Sequence, residues 1–181
     1  MRKFLFSVVS VAALMATADS AFADPLRVGF GADIGVPSGA AVGLVVNPGL
    51  DWARVQTSLT YDYLSFGGRG SLQLDPFALL PKCPIGVFAD AQGGFQPDAN
   101  IPGYADLPQV GFEYLNLYGG LRLGNPNGFH WNFEAGPTYL NLHTNDFQRV
   151  LNGTKISSWV GNPTISGWFF PTFETGFAVV W

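Results

Sequence analysis

Leu115-Asn116-Leu117-Tyr118-Gly119-Gly120-Leu121-Arg122-Leu123, then Gly124-Asn125-Pro126-Asn127-Gly128, then Phe129-His130-Trp131-Asn132-Phe133-Glu134-Ala135: this stretch decides the fold. Leu115, Leu117, Leu121 and Leu123 alternate with Asn116, Tyr118, Gly120 and Arg122, and Phe129, Trp131, Phe133 and Ala135 alternate with His130, Asn132, Glu134 and Gly136. A period of two belongs to a strand whose faces meet different surroundings. The Gly, Asn and Pro residues between the runs are turn formers, so the segment reads as an antiparallel hairpin. Setting Leu123 against Phe129 and Leu121 against Trp131 brings Arg122 opposite His130 and Gly120 opposite Asn132. Like then meets like on both faces.

The same period runs through most of the chain. Leu26 to Val36, Ala40 to Val46, Arg54 to Tyr63, Ser71 to Asp75, Ile85 to Gln92 and Phe173 to Trp181 all alternate, which with the hairpin makes eight strands. Breaks fall at Pro37-Ser38-Gly39, Asn47-Pro48-Gly49 and Gly67-Gly68-Arg69-Gly70, the last expected to end a strand. Residues 93–109, with Pro97, Pro102 and Pro108, and residues 144–163 lack periodicity and read as long loops.

Composition narrows the class. Of 181 residues, 48% are hydrophobic and 12% charged, about half the charge of a typical soluble domain, and the net charge is −4. That excludes a disordered polymer, a coiled coil and a basic nucleic-acid binder. The single cysteine, Cys83, excludes a disulfide framework or a multi-cysteine metal cluster. After residue 24 no apolar run approaches the ~20 residues of a membrane-spanning helix.

At the start, Arg2 and Lys3 precede an apolar stretch from Phe4 to Ala18 and an Ala21-Phe22-Ala23 site. This is the pattern of a secretory signal peptide, residues 1–23, cleaved before Asp24 and leaving one domain, 24–181.

Which face of the strands meets water is the remaining question. Ten charged residues fall inside the proposed strands: Arg27, Asp33, Arg54, Asp62, Asp75, Asp90, Glu113, Arg122, Glu134 and Glu174. Nine share the polar parity and Glu113 departs from it. The rest of that face is Gly, Ser, Gln and Asn with hardly any Lys, which suits a packed polar interior better than a wet surface. An apolar face turned to lipid accounts for the parity, because Arg or Lys there costs ~2–4 kcal/mol at mid-membrane. The expected fold is all-β, an eight-stranded antiparallel up-and-down transmembrane β-barrel. A soluble lipocalin-like binding barrel is the alternative.

The final strand, Phe173-Glu174-Thr175-Gly176-Phe177-Ala178-Val179-Val180-Trp181, resembles the C-terminal insertion signal of small outer-membrane β-barrel proteins of the OmpX, OmpW and OmpA-barrel types. In that signal Phe173, Thr175, Phe177, Val179 and Trp181 share one face and an aromatic ends the chain; most members end in Phe. The resemblance implies the outer membrane of a Gram-negative bacterium, contact with outer-membrane lipid, lipopolysaccharide and the assembly machinery, short turns in the periplasm and longer loops outside. It implies a non-enzymatic structural or surface-interaction role. Loops 93–109, with Phe95, Asp98, Tyr104 and Asp106, and 144–163, with Phe147, Arg149, Lys155 and Trp159, are candidate contact sites for an extracellular partner. A porin-like conduit for apolar solutes, as in the OmpW type, is a second reading.

Arg27, Asp33, Arg54, Asp90, Arg122, His130, Glu134 and Glu174 are expected to form an interior polar network, since buried charge must be paired. Tyr61, Tyr63, Trp131, Phe173 and Trp181 are expected at the membrane interfaces, where barrels carry aromatic girdles. Some eight-stranded barrels modify lipid A. Deacylases of the PagL type use a His with a Ser two residues on and a Glu, and here His130-Trp131-Asn132-Phe133-Glu134 carries Asn132 in the serine's place. His143 and Asp146 likewise lack a matching Ser, and Ser157, Ser158 and Ser166 carry no distinguishing spacing. No catalytic, cofactor or metal site is expected.

Overall fold

The computed structural model describes residues 25–50, 52–76, 84–100, 109–143 and 167–181. The signal segment, Cys83, most of loop 93–109 from residue 101 on, and loop 144–163 with Asp146 and the serines lie outside them.

Eight strands form: β1 (Arg27–Gly35), β2 (Gly39–Asn47), β3 (Ala53–Tyr61), β4 (Phe66–Leu74), β5 (Ile85–Ala99), β6 (Val110–Gly124), β7 (Phe129–His143) and β8 (Gly167–Val180). Each pairs antiparallel with its chain neighbour, and β8 returns to β1, closing a barrel. Closure removes sheet edges, the usual hazard of all-β chains. The register is staggered. Starting at Phe30 and stepping through Leu44, Thr57, Gly70, Gly93, Leu115 and Tyr139 leads to Phe169, whereas Phe30 itself pairs with Val179. That offset along β8 is the shear that tilts the strands to ~40° and sets the barrel's width.

Three expectations need correction. The 124–128 hairpin pairs Leu123 with Trp131 and Arg122 with Asn132, so the faces match but the partners shift by two residues. The turn is centred later than expected: Asn125 N donates to the Phe129 carbonyl at 3.0 Å, and Gly128 N to the Asn125 carbonyl at 3.1 Å. Gly124 enters it at φ +117, which a side chain would strain. Second, Gly67-Gly68-Arg69-Gly70 does not end a strand but lies inside β4, where ladder hydrogen bonds override the weak intrinsic preference of glycine. Third, residues 93–99 continue β5, because β6 offers partners as far as Ala99↔Val110.

The connections also depart from strict alternation of short and long. At the end carrying the chain termini they span 48–52, 75–84 and 125–128; at the other end, the rim, they span 36–38, 62–65, 100–109 and 144–166. Long rim loops thus belong to the second half of the chain. Strands β1–β4 have 9 residues each, whereas β5–β7 have 15 and β8 has 14. The β8–β1 ladder stops at Glu174↔Gly35 and the β4–β5 ladder at Gly68↔Phe95, so β5–β8 continue past the rim as a curved wall. At ~3.3 Å per residue along tilted strands it stands roughly 10 Å higher.

The polar parity faces inward. Arg54, Arg69, Asp90, Gln92, Asn116, Arg122, His130 and Glu174 are buried, while Phe30, Leu44, Leu59, Leu117, Leu121 and Phe133 are exposed on the outside. Glu113 faces out near the top of β6. A soluble lipocalin-like barrel requires the reverse arrangement, with the apolar parity lining the cavity.

Candidate functional site

Two features stand out: the polar interior and the apolar outer belt.

The interior is layered. At the termini end, Arg122 from β6 pairs with Asp75, just after β4. The Gly128 carbonyl accepts from His130 Nδ1 at 3.2 Å. The Phe88 ring lies on Gly120, where a Cβ would come within 2.3 Å of it, so glycine is the residue that fits. Mid-barrel, Arg69 on β4 reaches across to β1 and β8: it donates to Asp33 Oδ2 at 2.5 Å and Glu174 Oε1 at 2.7 Å, with its side chain 2% exposed. Gln92 Nε2 donates to Asp90 Oδ2 at 2.8 Å and Glu134 Oε2 at 3.1 Å, and Gln56 Nε2 to Asp33 Oδ2 at 3.2 Å. Towards the rim come hydroxyls and amides. Thr138, Asn116 and Thr172 connect with Tyr118, and Gln96 Nε2 donates to Thr60 Oγ1 at 3.0 Å.

Asp33, Arg54, Arg69, Asp90, Gln92, Glu134 and Glu174 surround a cavity of about 20 Å³, the scale of one water molecule. Asp33 Oδ1, Asp90 Oδ1 and Glu174 Oε2 have no hydrogen-bond partner among the described residues. Buried carboxylate oxygens in that position are normally met by ordered water. Among the described residues no group of three or more His, Cys, Asp or Glu has an arrangement that could hold a metal ion.

Of the expected network, the structure therefore brings Asp33, Arg54, Asp90, Glu134 and Glu174 around one cavity. Arg122 and His130 lie at the base, where Arg122 is opposite Asn132 and not His130. Arg27 is half-buried at the start of β1. Sequence reasoning missed Arg69, the residue that ties the halves of the barrel together. Its signal was present: Arg69, Ser71 and Gln73 share one parity, but the flanking glycines read as a break. Asp75 and Gln92 were likewise on the polar parity without being assigned to the network.

Outside, aromatic rings gather at two heights. Near the termini end, Phe30 meets Trp181 edge-on at 6.2 Å, Phe129 stacks on Phe177 at 6.1 Å, and Trp131 lies 5.9 Å from Phe177. Towards the rim, Tyr61 lies 4.8 Å from Phe66 and Tyr139 lies 5.0 Å from Phe169. Trp131 and Tyr139 share the outer face of β7, and along a tilted strand that spacing separates the belts by roughly 20 Å. Tyr61, Trp131 and Trp181 belong to these belts, and Tyr63 is exposed in the 62–65 turn. Phe173 faces outward from the middle of β8, which begins six residues before it at Gly167.

No family profile matches the chain, and no curated protein sequence is detectably similar. Among solved structures, the crystal structure of Acinetobacter baumannii CarO is similar, with a TM-score of 0.38 and 11% identity over 84% of this chain and 97% of that one.

Proposed function

We propose that this protein spans the outer membrane of a Gram-negative bacterium as a non-enzymatic barrel, with a structural or surface-interaction role carried at its rim. The observation behind this reading is the polarity of the wall. Leu, Val and Phe side chains cover its outside between two aromatic belts, and ion pairs and amides fill its inside. In water such an exterior would drive aggregation. In a bilayer it matches the ~25 Å apolar band and flanking girdles of outer-membrane barrels. The end with short hairpin 125–128 and both termini is the periplasmic side, and the raised β5–β8 wall and its long loops face outward. Those loops, 100–109 and 144–166, are the proposed contact surface for an extracellular partner.

The interior weighs against a conduit for apolar solutes, because Arg69 crosses the lumen and the cavity beside it is polar and water-sized. Against a PagL-type deacylase, His130 points inward, away from lipid, and Asn132 replaces the nucleophile. The test is membrane fractionation followed by gel migration in SDS with and without boiling. The expected result is an outer-membrane band whose mobility shifts only after heating; a periplasmic protein with no shift overturns the reading. Removing Trp181 is expected to lower the outer-membrane yield, and normal yield counts against its role in insertion.

A further inference from the structure

The lumen is crossed near the rim by Tyr118. From β6 its hydroxyl lies 3.1 Å from the Val36 carbonyl in the β1–β2 turn and 2.7 Å from Thr172 Oγ1. Thr172 Oγ1 is 2.5 Å from Thr138 Oγ1, which is 2.8 Å from Asn116 Oδ1. The amides fix the direction of this chain. Carboxylates Asp90 and Glu134 hold Gln92 Nε2, so Gln92 turns Oε1 to Asn116 Nδ2 at 3.1 Å. Asn116 must then present its oxygen to Thr138. Acceptors stand at both ends, the Val36 carbonyl and Asn116 Oδ1. Between them, the three hydroxyls of Tyr118, Thr172 and Thr138 supply one proton each. Four contacts compete for three protons.

We infer that the β1–β2 turn is a latch over the polar interior, with Tyr118 as its catch and two competing hydrogen-bond arrangements. In one, Tyr118 donates to the Val36 carbonyl and holds the turn. In the other, Tyr118 donates to Thr172, Thr172 to Thr138 and Thr138 to Asn116, and the Val36 carbonyl is released. A two-state element of this kind is what a small bias can switch. The amide chain leads from the catch to the carboxylates around the central cavity, so the orientation of Gln92 is felt at the turn. The turn also covers unsettled ground: Ser38 Oγ and Tyr114 Oη are buried and close no hydrogen bond of acceptable geometry among the described residues. Towards the base, Phe88 and the Arg122–Asp75 pair occupy the lumen. The latch therefore bears on the rim-side approach of water to the cavity, not on passage through the barrel. It does not depend on which medium surrounds the outer belt.

The experiment is amide hydrogen exchange on the folded full-length protein in detergent micelles, comparing Val36–Gly39 with the opposite turn, Asn125–Gly128. Tyr118→Phe removes the catch and is expected to speed exchange at 36–39 by roughly tenfold, leaving 125–128 unchanged. Thr138→Val removes the competitor, leaving two donors for the two remaining contacts of Tyr118, and is expected to slow exchange at 36–39 several-fold. Opposite signs are the signature of competition. Unchanged exchange at 36–39 in Tyr118→Phe, equal acceleration of both turns, or acceleration by Thr138→Val would each overturn the latch.

Discussion

The first and second halves of this barrel solve different problems with the same alternating code. Strands β1–β4, nine residues each, end close to the rim-side aromatic belt and turn back within three or four residues. Strands β5–β8 pass that belt and rise as an open wall. An open wall has edges, and both edges carry a proline where they leave their neighbours: Pro97 on β5 and Pro171 on β8. Outward-facing residues of β8 turn their N–H towards β1, as Trp181 N does in donating to the Val28 carbonyl at 3.1 Å. The last β1–β8 bond runs from Val36 N to the Phe173 carbonyl at 3.2 Å, and beyond it β1 offers β8 no further partner, so Pro171 forfeits nothing and blunts the edge against stray pairing. Pro137 differs. Outward residues of β7 face β6, as the Phe129 carbonyl shows by accepting from Asn125 N, and the β6–β7 register is interrupted opposite Gly136 and Pro137. On the proposed function, the short half is a membrane crossing and the long half a crossing plus an outward structure.

The two halves are joined across the lumen by Arg69, and the largest effect is expected there. Arg69 on β4 is held by Asp33 on β1 and Glu174 on β8, and Arg69→Met leaves two buried carboxylates facing a methyl group. A loss of about 3–5 kcal/mol is expected, read as a fall in the temperature at which the SDS-resistant band converts. An unchanged conversion temperature would mean that the halves are held by backbone pairing alone.

A smaller effect measures where the proposed membrane crossing ends on a long strand. Leu117 and Glu113 share the outer face of β6, one between the aromatic belts and the other above them. Leu117→Arg is expected to cost ~2–4 kcal/mol and to block assembly, and Glu113→Arg about 0–1 kcal/mol. Equal assembly of the two variants would remove the distinction between membrane-spanning and raised segments.

The smallest pair of effects tests the prolines. Pro137→Ala restores an N–H where the Leu117 carbonyl can accept it and is expected to add about 0.5–1.5 kcal/mol of stability. Pro171→Ala, whose restored N–H would point away from β7 with no acceptor strand among the described residues, is expected to stay within about 0.5 kcal/mol. Thermal conversion of the purified barrels compares them directly, and a gain from Pro171→Ala matching that of Pro137→Ala would show that β8 is not an open edge there.

What could be read beforehand follows from what a period of two records. Leu121, Arg122 and Leu123 announce their faces by alternation, and an interior and an exterior of opposite polarity impose that alternation on every strand. The apolar belt, the inward charges and the exceptional Glu113 were legible for this reason. Arg69 was not assigned, because glycines on both sides are locally a turn signal and become strand only when β3 and β5 supply partners. The Arg122–Asn132 pairing was misplaced because two registers differing by two residues satisfy the same parity, and the hydrogen bonds of the Asn125 turn choose between them.

Eight strands, their faces and the inversion of polarity follow from local pattern, because these depend on each side chain's affinity for its surroundings, a property carried residue by residue. The stagger, the raised wall of β5–β8, the meeting of Arg69 with Asp33 and Glu174, and the reach of Tyr118 to the β1–β2 turn arise only on closure. Those depend on which residues closure of the sheet brings across the lumen, and that distance is set by shear and tilt, which no local pattern encodes.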